Sequence, residues 1–177
     1  MMTPRTLHQG RFLSLLERDR WEYASRTNAT AVVVIIALSP QNELVLVEQY
    51  RAPVDRHVIE LPAGLVGDQG DVGESLLLAA ERELMEETGF EADEFTVLMA
   101  CPSSAGMSDE IVTFVRARGL RRVGEGGGDG TEDIVVHLVP LRDVEKFFAE
   151  QQARGLLLDP KIFGVPYWLA LENPGSA

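Results

Sequence analysis

The sequence contains a single cysteine, few aromatic residues and no long apolar run. Cys101, the one cysteine among 177 residues, cannot form a disulfide within the chain, which is typical of a reducing compartment and predicts a cytoplasmic protein. The longest apolar run, residues 29–38, is shorter than the roughly 18 residues of a membrane span, so we expect no membrane partner. Hydrophobic residues make up 45% of the chain and charged residues 25%, which predicts a folded globular protein.

Positive charge is also scarce, since 16 Lys and Arg residues stand against 28 Asp and Glu residues, for a formal charge of -12. Nucleic-acid binding depends on basic residues that neutralise phosphates, so we expect no nucleic-acid partner. The negative charge is concentrated in residues 68–93, which hold nine acidic residues and one base, Arg82. A small phosphate ligand remains compatible with this charge, because a bound cation can reverse the local sign.

Apolar and β-branched segments predict most of the strands. Residues 31–38 and 44–50 flank a turn at residues 39–42, so we expect them to pair as a hairpin. The other strand-like segments are residues 12–17, 21–26, 58–61, 95–100, 111–117 and 134–139.

Three segments have the pattern of helices. Residues 74–88 place apolar side chains at helical spacing, and Gly89 is a typical stop signal. Two closing helices are predicted over residues 141–154 and 160–171. The glycine-rich residues 64–73 are predicted to form a loop, and residues 124–130 are predicted to form a flexible loop. Strands mixed with a few helices, without regular βαβ alternation, favour an α+β sandwich over a Rossmann sheet.

The helix over residues 74–88 places three carboxylates on one face. At 100° per residue, Glu83, Glu86 and Glu87 fall within one sector of about 100°. Like charges at this spacing repel, whereas a hard divalent cation such as Mg²⁺ binds such a carboxylate cluster. The alternative is an ordinary solvated acidic face.

The context of these carboxylates resembles the Nudix box, whose pattern is G-x5-E-x7-R-E-U-x-E-E-x-G-U with U an apolar residue. From Glu74 to Phe90 the chain reads ESLLLAAERELMEETGF, and every specified position matches. The opening glycine does not match, because Asp68 stands there. Its better counterpart is Gly64 in the segment ELPAG, which leaves an insertion of four residues before Glu74.

The resemblance implies a hydrolase that uses Mg²⁺, with Mn²⁺ as the other candidate, to cleave a nucleoside diphosphate linked to another moiety. Glu83, Glu86 and Glu87 are the implied metal ligands and catalytic carboxylates, with the carbonyl of Ala63 as a further ligand. Arg82 is implied to orient a glutamate, and Glu74 is its nearest candidate partner.

The segment LVEQYR-x-PV resembles that of ADP-ribose and ADP-sugar pyrophosphatases. It makes Arg51 a candidate phosphate contact, because a guanidinium can pair with a phosphate through two hydrogen bonds. Two further residues are candidate substrate contacts: Arg56, which no motif supports, and Glu60, which belongs to the segment ELPAG. An ordinary exposed arginine is the alternative for Arg51.

The N-terminal segment that contains Trp21 also resembles this subfamily, in which an N-terminal sheet reaches across a homodimer and supplies aromatic groups to the base. Trp21 is therefore a candidate base contact, and plain interface or core packing is the alternative.

The segment PSSAGMSDE, residues 102–110, resembles the subfamily loop P-S-P-G-x-S-D-E and makes Glu110 a candidate substrate contact. Its marker proline is replaced by Ala105, which leaves other nucleoside diphosphate sugars, such as GDP-mannose, open as substrates.

The segment TEDIVVH, residues 131–137, resembles the one that follows the catalytic loop of ADP-ribose pyrophosphatases. Glu132 is the candidate general base, Glu125 and Asp129 are alternatives, and a solvated turn carboxylate is the other interpretation. The glycines of residues 124–130 are expected to give the loop freedom to close.

The resemblance implies a Nudix α/β/α sandwich, with a mixed sheet between helices, which agrees with the α+β class that the strand and helix pattern favours. We expect a small antiparallel β appendage over residues 1–28 and the Nudix domain over residues 29–177. The expected function is hydrolysis of ADP-ribose or an ADP-sugar by a homodimer. A nucleotide-sensing module without catalysis is the alternative, and the complete set of box glutamates argues against it.

Overall fold

Two four-stranded sheets lie between one helix on one side and two helices on the other in the computed structural model, which describes residues 3–67, 73–128 and 133–172. This arrangement confirms the predicted α/β/α sandwich. The strands are β1 (Arg5–Gln9), β2 (Leu13–Arg18), β3 (Trp21–Arg26), β4 (Ala31–Ala37), β5 (Glu43–Arg51), β6 (Arg56–Glu60), β7 (Ala63–Val66), β8 (Phe90–Glu91), β9 (Glu94–Pro102), β10 (Ile111–Arg118), β11 (Arg121–Arg122), β12 (Ile134–Pro140) and β13 (Leu157–Leu158). The helices are α1 (Leu76–Thr88), α2 (Val144–Ala153) and α3 (Val165–Glu172), with 3-10 turns at Ala52–Val54, Leu141–Asp143 and Pro160–Gly164.

Strand β4 connects the two halves of the core. It lies between β7 and β10 in the first sheet, whose order is β7-β4-β10-β9. Val33 and Ile35 pack in the cluster that contains α1, and Val34 and Ile36 pack in the cluster that contains α2 and α3. All four side chains are fully buried, and each such burial contributes about 1.5–3 kcal/mol relative to an exposed side chain. Burial on both faces explains why the sequence of β4 is continuously apolar.

The second sheet has the order β12-β5-β6-β13. In β5, Leu44 and Leu46 face the cluster with α2 and α3, whereas Val45 faces the cluster with α1. Because side chains alternate along a strand, Gln49 and Arg51 lie on the same face as Val45. The end of β5 therefore presents polar side chains on the α1 side of the sheet.

The predicted hairpin of residues 31–38 and 44–50 is wrong. Strand β4 pairs with β7 and β10, and β5 pairs with β6 and β12, so the two strands belong to different sheets. A single bridge joins Leu38 and Leu44. Both hydrogen-bonding edges of β4 are taken by other strands, so β5 has no edge of β4 to pair with.

The N-terminal strands β1, β2 and β3 form a sheet of their own, in that order. Asp19 and Arg20 both have positive φ, 52° and 69°, as a two-residue hairpin turn between β2 and β3 requires. The sheet meets the rest of the chain at Ala24, whose N–H donates to the carbonyl of Met107 at 2.8 Å and whose carbonyl accepts from Asp109 at 3.3 Å.

Other elements differ from the sequence prediction at their ends. Residues 64–66, expected to be part of a loop, belong to strand β7, and the closing helices begin with 3-10 turns rather than α-helix. Strands β1, β7, β8, β11 and β13 were not predicted. Of these, β8, β11 and β13 are only two residues long and carry no periodic signal. Among the described residues, no helix combines the length and apolar character required to cross a membrane.

Candidate active site

Helix α1 has a defined start and end. Ser75 is the N-cap, and its hydroxyl accepts from the N–H of Leu78 at 3.3 Å. Gly89, at φ 71°, ends the helix and donates to the carbonyl of Met85 at 2.9 Å. The apolar face packs Ala80 and Leu84 into the core, so the position of the helix on the sheets is fixed by burial.

The three carboxylates of α1 differ in exposure. Glu83 is 9% exposed and Glu87 is 3% exposed, and Glu86 is partly buried. Burial of charged groups is costly unless they are paired, and Glu86 and Glu87 also lie in the last turn of the helix, where the helix dipole disfavours negative charge. Stability alone does not favour this arrangement.

The start of β7 lies directly against these carboxylates. The backbone N–H of Ala63 donates to Oε2 of Glu87 at 3.0 Å. The next residue, Gly64, lies so close to Glu83 that an added Cβ would stand 1.8 Å from Cδ of Glu83. Glycine at position 64 thus leaves space for the Glu83 carboxylate in its present position.

Arg82 connects four groups on the helix and the preceding segment. Its guanidinium donates to Glu74 at 2.9 Å, Glu83 at 2.8 Å, Glu86 at 3.2 Å and the carbonyl of Leu65 at 3.1 Å. The hydrogen bond to Glu74 and the carboxylate of Glu83 raise the pKa of Arg82 above its ordinary value. The same hydrogen bond lowers the pKa of Glu74. The expected partnership of Arg82 and Glu74 is present in the structure.

The donor atoms of this region are suited in type to a hard divalent cation, since they are carboxylate and carbonyl oxygens. In this arrangement, however, Glu83 and Glu86 contact Arg82, and Glu87 contacts the N–H of Ala63. Among the described residues, no three His, Cys, Asp or Glu side chains surround a point that could hold a metal ion. Metal binding therefore requires the three carboxylates to converge on a common centre.

Arg51 and Glu60 form an ion pair on the α1 side of the second sheet. Nε of Arg51 lies 2.7 Å from Oε2 of Glu60, whose side chain is 9% exposed. Burial raises the pKa of Glu60, and the charge and hydrogen bond of Arg51 offset this only in part. Arg56 is opposite Arg51 in the register of β5 and β6, and it donates to the carbonyl of Gly155 at 3.4 Å.

Trp21 lies beside the loop of residues 102–110. Its indole N–H donates to the carbonyl of Gly106 at 3.2 Å, and 62% of the residue is exposed. An open cavity of about 420 Å³ is lined by Trp21, Tyr23 and Ala105, among others. The residue at the marker-proline position thus lies in the same cavity as the candidate base contact.

Glu110 contacts the N-terminal sheet. Oε1 of Glu110 lies 2.5 Å from Nε of Arg26, and the hydroxyl of Ser25 donates to Asp109 at 2.9 Å. Burial raises the pKa of Glu110, but hydrogen bonds from Arg26 and Ser103 outweigh it and bring the pKa below its ordinary value. Sequence reasoning gave no sign that Arg26 and Ser25 take part, because the two segments are more than 80 residues apart.

Residues 124–128, expected to be flexible, are hydrogen-bonded to the end of α1. Gly127 donates to the carbonyl of Glu87 at 2.9 Å, and Gly128 donates to that of Glu86 at 3.0 Å. Glu125 is exposed, and its Oε2 lies 3.7 Å from Nη2 of Arg122. Glu132, the candidate general base, and the alternative Asp129 lie outside the described residues.

Two histidines, His57 and His137, lie beside Glu48 on the opposite face of the second sheet. Oε2 of the buried Glu48 lies 3.0 Å from Nε2 of His137, and its Oε1 lies 3.4 Å from Nδ1 of His57. Because side chains alternate along β5, Glu48 lies on the opposite face of the sheet from Gln49 and Arg51. The sheet therefore separates Glu48 and its two histidines from the α1 side.

Comparison with known proteins agrees with the resemblance of residues 74–90 to the Nudix box. The model of the NUDIX domain family matches residues 27–159. The methanol dehydrogenase activator of Bacillus methanolicus is 38% identical over 109 residues, which are 62% of this chain and 56% of the relative. The ADP-ribose pyrophosphatase of Bacillus subtilis is 33% identical over 121 residues, 68% of this chain and 63% of the relative. The chain thus spans less than two thirds of the length of these curated relatives.

The crystal structure of an ADP compounds hydrolase superposes with a TM-score of 0.72. The match covers 97% of this chain and 94% of the other, at 23% sequence identity. At that identity the likeness concerns the fold, and it extends over the N-terminal sheet as well as the sandwich.

Proposed function

The chain belongs to the NUDIX domain family, and from this premise we propose that it hydrolyses the pyrophosphate bond of a nucleoside diphosphate linked to another moiety. We propose ADP-ribose or an ADP-sugar as the substrate. One observation carries the proposal: the box glutamates Glu83 and Glu87 are buried and lie against Ala63 and Gly64, the segment that opens the box. The name of the Bacillus subtilis relative supports the choice of ADP-ribose.

Hydrolases of this family generally need a divalent metal, and we propose Mg²⁺, with Mn²⁺ as a substitute. Glu83, Glu86, Glu87 and the carbonyl of Ala63 would hold it. When bound, such an ion neutralises the charge of the diphosphate and makes water more acidic. Arg82 would keep the glutamates in place, because it already contacts Glu83 and Glu86.

Arg51 is proposed to bind a phosphate of the substrate. The ion pair with Glu60 engages Nε of Arg51, and 42% of the arginine side chain is exposed to solvent. Glu60 then holds the guanidinium in one orientation. Arg56 lies opposite Arg51 on the neighbouring strand and can add a second positive charge to the same face.

The proposed reaction is the attack of water on one phosphorus of the diphosphate. Glu132 would accept the proton of that water, and the bond from the attacked phosphorus to the bridging oxygen would break. With ADP-ribose the products are AMP and ribose 5-phosphate. The role of Glu132 rests on the sequence TEDIVVH, since this residue lies outside the described residues.

Trp21 is proposed to stack on the nucleobase, because it is exposed and lies in an open cavity. We further propose that the protein is a homodimer formed through the N-terminal sheet, which exposes the apolar side chains of Phe12, Leu13 and Leu15. A cytoplasmic location is part of the same proposal and is supported by the free thiol of Cys101.

The test is a panel of ADP-ribose, ADP-glucose, GDP-mannose, dinucleoside polyphosphates and NADH, assayed with Mg²⁺ and with Mn²⁺. We expect the largest kcat/KM for ADP-ribose or ADP-glucose. A preference for GDP-mannose would overturn the substrate but not the reaction. Tight binding of ADP-ribose in calorimetry, without hydrolysis of any compound, would indicate a sensor and overturn the proposed reaction.

A further inference from the structure

We propose that residues 123–128 form a fixed glycine clamp on the C-terminal end of α1, and that this clamp positions the carboxylates of Glu86 and Glu87. The inference rests on the proposed function for the role of these carboxylates. It assigns a positioning role to a segment that the sequence predicted to be a flexible loop.

The first observation is the pattern of hydrogen bonds at the end of α1. The last four carbonyls of a helix have no partner within the helix, and they need one from elsewhere. Gly128 and Gly127 donate to the carbonyls of Glu86 and Glu87, and the N–H groups of Val123 and Gly124 donate to the carbonyl of Gly89. The clamp therefore supplies donors to the helix end as a neighbouring strand would.

The second observation is that the clamp holds the backbone of two functional carboxylate residues, Glu86 and Glu87. Glu86 and Glu87 are two of the three carboxylates on the functional face of α1. The backbone of Glu87 accepts from Gly127 at 2.9 Å, and its carboxylate accepts from Ala63 at 3.0 Å. Glu87 is thus held at both ends, by the clamp and by the start of β7. A shift of the clamp moves the backbone from which both carboxylates extend.

The third observation is that the contact leaves no space for a side chain. An added Cβ at Gly126 would lie 2.5 Å from the carbonyl carbon of Thr88 and 2.6 Å from the carbonyl oxygen of Glu87. An added Cβ at Gly89 would lie 2.2 Å from the carbonyl oxygen of Gly124. These are backbone atoms, so no side-chain rotation relieves the overlap. The glycines thus allow close approach of two backbones rather than freedom of movement.

Hydrogen exchange of the unmodified protein tests whether the clamp exists, without metal or substrate. We expect the amides of Gly127 and Gly128 to exchange as slowly as amides in the last turn of α1, because both are hydrogen-bonded to that turn. Exchange of these two amides at the rate of an unstructured peptide would overturn the clamp. This measurement does not depend on whether any variant folds.

Gly126→Ala tests whether the clamp positions the carboxylates, and Gly155→Ala is its matched control. Gly126 and Gly155 both have positive φ, 74° and 88°, so alanine is strained at either site, but nothing lies within 4 Å of an added Cβ at Gly155. We expect Gly126→Ala to weaken Mn²⁺ binding and to lower kcat by about a hundredfold, as small misplacements of reacting groups do. The substrate KM should change much less, because Arg51, the proposed phosphate contact, lies in β5 and not in the clamp.

The positioning role would be overturned if Gly126→Ala and Gly155→Ala bound Mn²⁺ equally well and had the same kcat. Protected clamp amides in a protein that hydrolyses none of the panel would overturn the proposed function and leave the clamp in place. Unprotected clamp amides in a protein that hydrolyses a compound of the panel would overturn the clamp and leave the proposed function in place. The two proposals therefore fail in different experiments.

Discussion

The Cα of Gly64 lies against the carboxylate of Glu83, so that an added Cβ would stand 1.8 Å from Cδ and 1.9 Å from Oε1 of the glutamate. This contact joins the strand that opens the box to the helix that carries its glutamates. The contact is present although the resemblance to the Nudix box predicts an insertion of four residues between Gly64 and Glu74. Lengthening such a segment costs little free energy.

Gly64→Ala should displace the Glu83 carboxylate. We expect a loss of about 1–3 kcal/mol in the free energy of unfolding, as for other overpacked sites. Mn²⁺ affinity should fall by about 10–100-fold, the range typical of disturbed ligand support. Gly164→Ala is the control, since nothing lies within 4 Å of a Cβ added there. Chemical denaturation and a Mn²⁺ titration measure the two effects, and equal values for both variants would contradict the prediction.

Glu83→Gln and Glu87→Gln should each remove a charge needed for the metal while keeping an oxygen that accepts the existing hydrogen bond. We expect kcat with Mg²⁺ to fall by about a hundredfold or more, because loss of a ligand should cost at least as much as loss of its supporting partner. Thermal unfolding should change little. Glu81→Gln, an exposed change on the same helix, should retain full activity. Wild-type turnover in both buried variants would show that the assignment of the ligands is wrong.

Glu74 should make stability depend on pH in the acid range. Its pKa is lower in the folded protein than in the unfolded chain because Arg82 hydrogen-bonds to the carboxylate. The folded state is therefore favoured above the unfolded pKa of about 4.3, and this contribution disappears as the pH falls through the lowered value.

Urea unfolding of the wild type and of Glu74→Gln between pH 3 and pH 7 measures this contribution. The difference in the free energy of unfolding should be largest at neutral pH and should shrink at the acid end. A difference that stays constant across the range would exclude Glu74 as its source.

Arg26 and Glu110 should be energetically coupled, because their ion pair joins the N-terminal sheet to the loop of residues 102–110. A double-mutant cycle of Arg26→Gln and Glu110→Gln should give a coupling of about 0.2–1 kcal/mol, the range of partly exposed ion pairs. The cycle of Glu110→Gln with Arg142→Gln should give none, because Arg142 pairs with Asp143 instead. No coupling in the first cycle would mean that the pair does not hold the N-terminal sheet in solution.

Most strands and all three helices could be predicted from the sequence, because their signals are local. The AVVVIIA run of β4, the helical spacing of apolar residues in α1 and the stop at Gly89 each act over a few neighbouring residues. The pairing of the strands was harder to predict than the strands themselves. Residues 31–38 and 44–50 look like a hairpin in isolation, yet β7 and β10 occupy both edges of β4. The competing strands are distant in sequence, so no local pattern reveals them.

The candidate site divides in the same way. The sequence by itself determined that Glu83, Glu86 and Glu87 share a helix face, because helical periodicity fixes relative direction. The role of Arg82 came from the resemblance to the Nudix box. Only the tertiary structure decided that Gly64 supports Glu83, that Arg26 pairs with Glu110 and that the glycines of residues 124–128 hold the end of α1. These contacts join segments that meet only when the sheets pack. Their geometry depends on the whole core rather than on neighbouring residues.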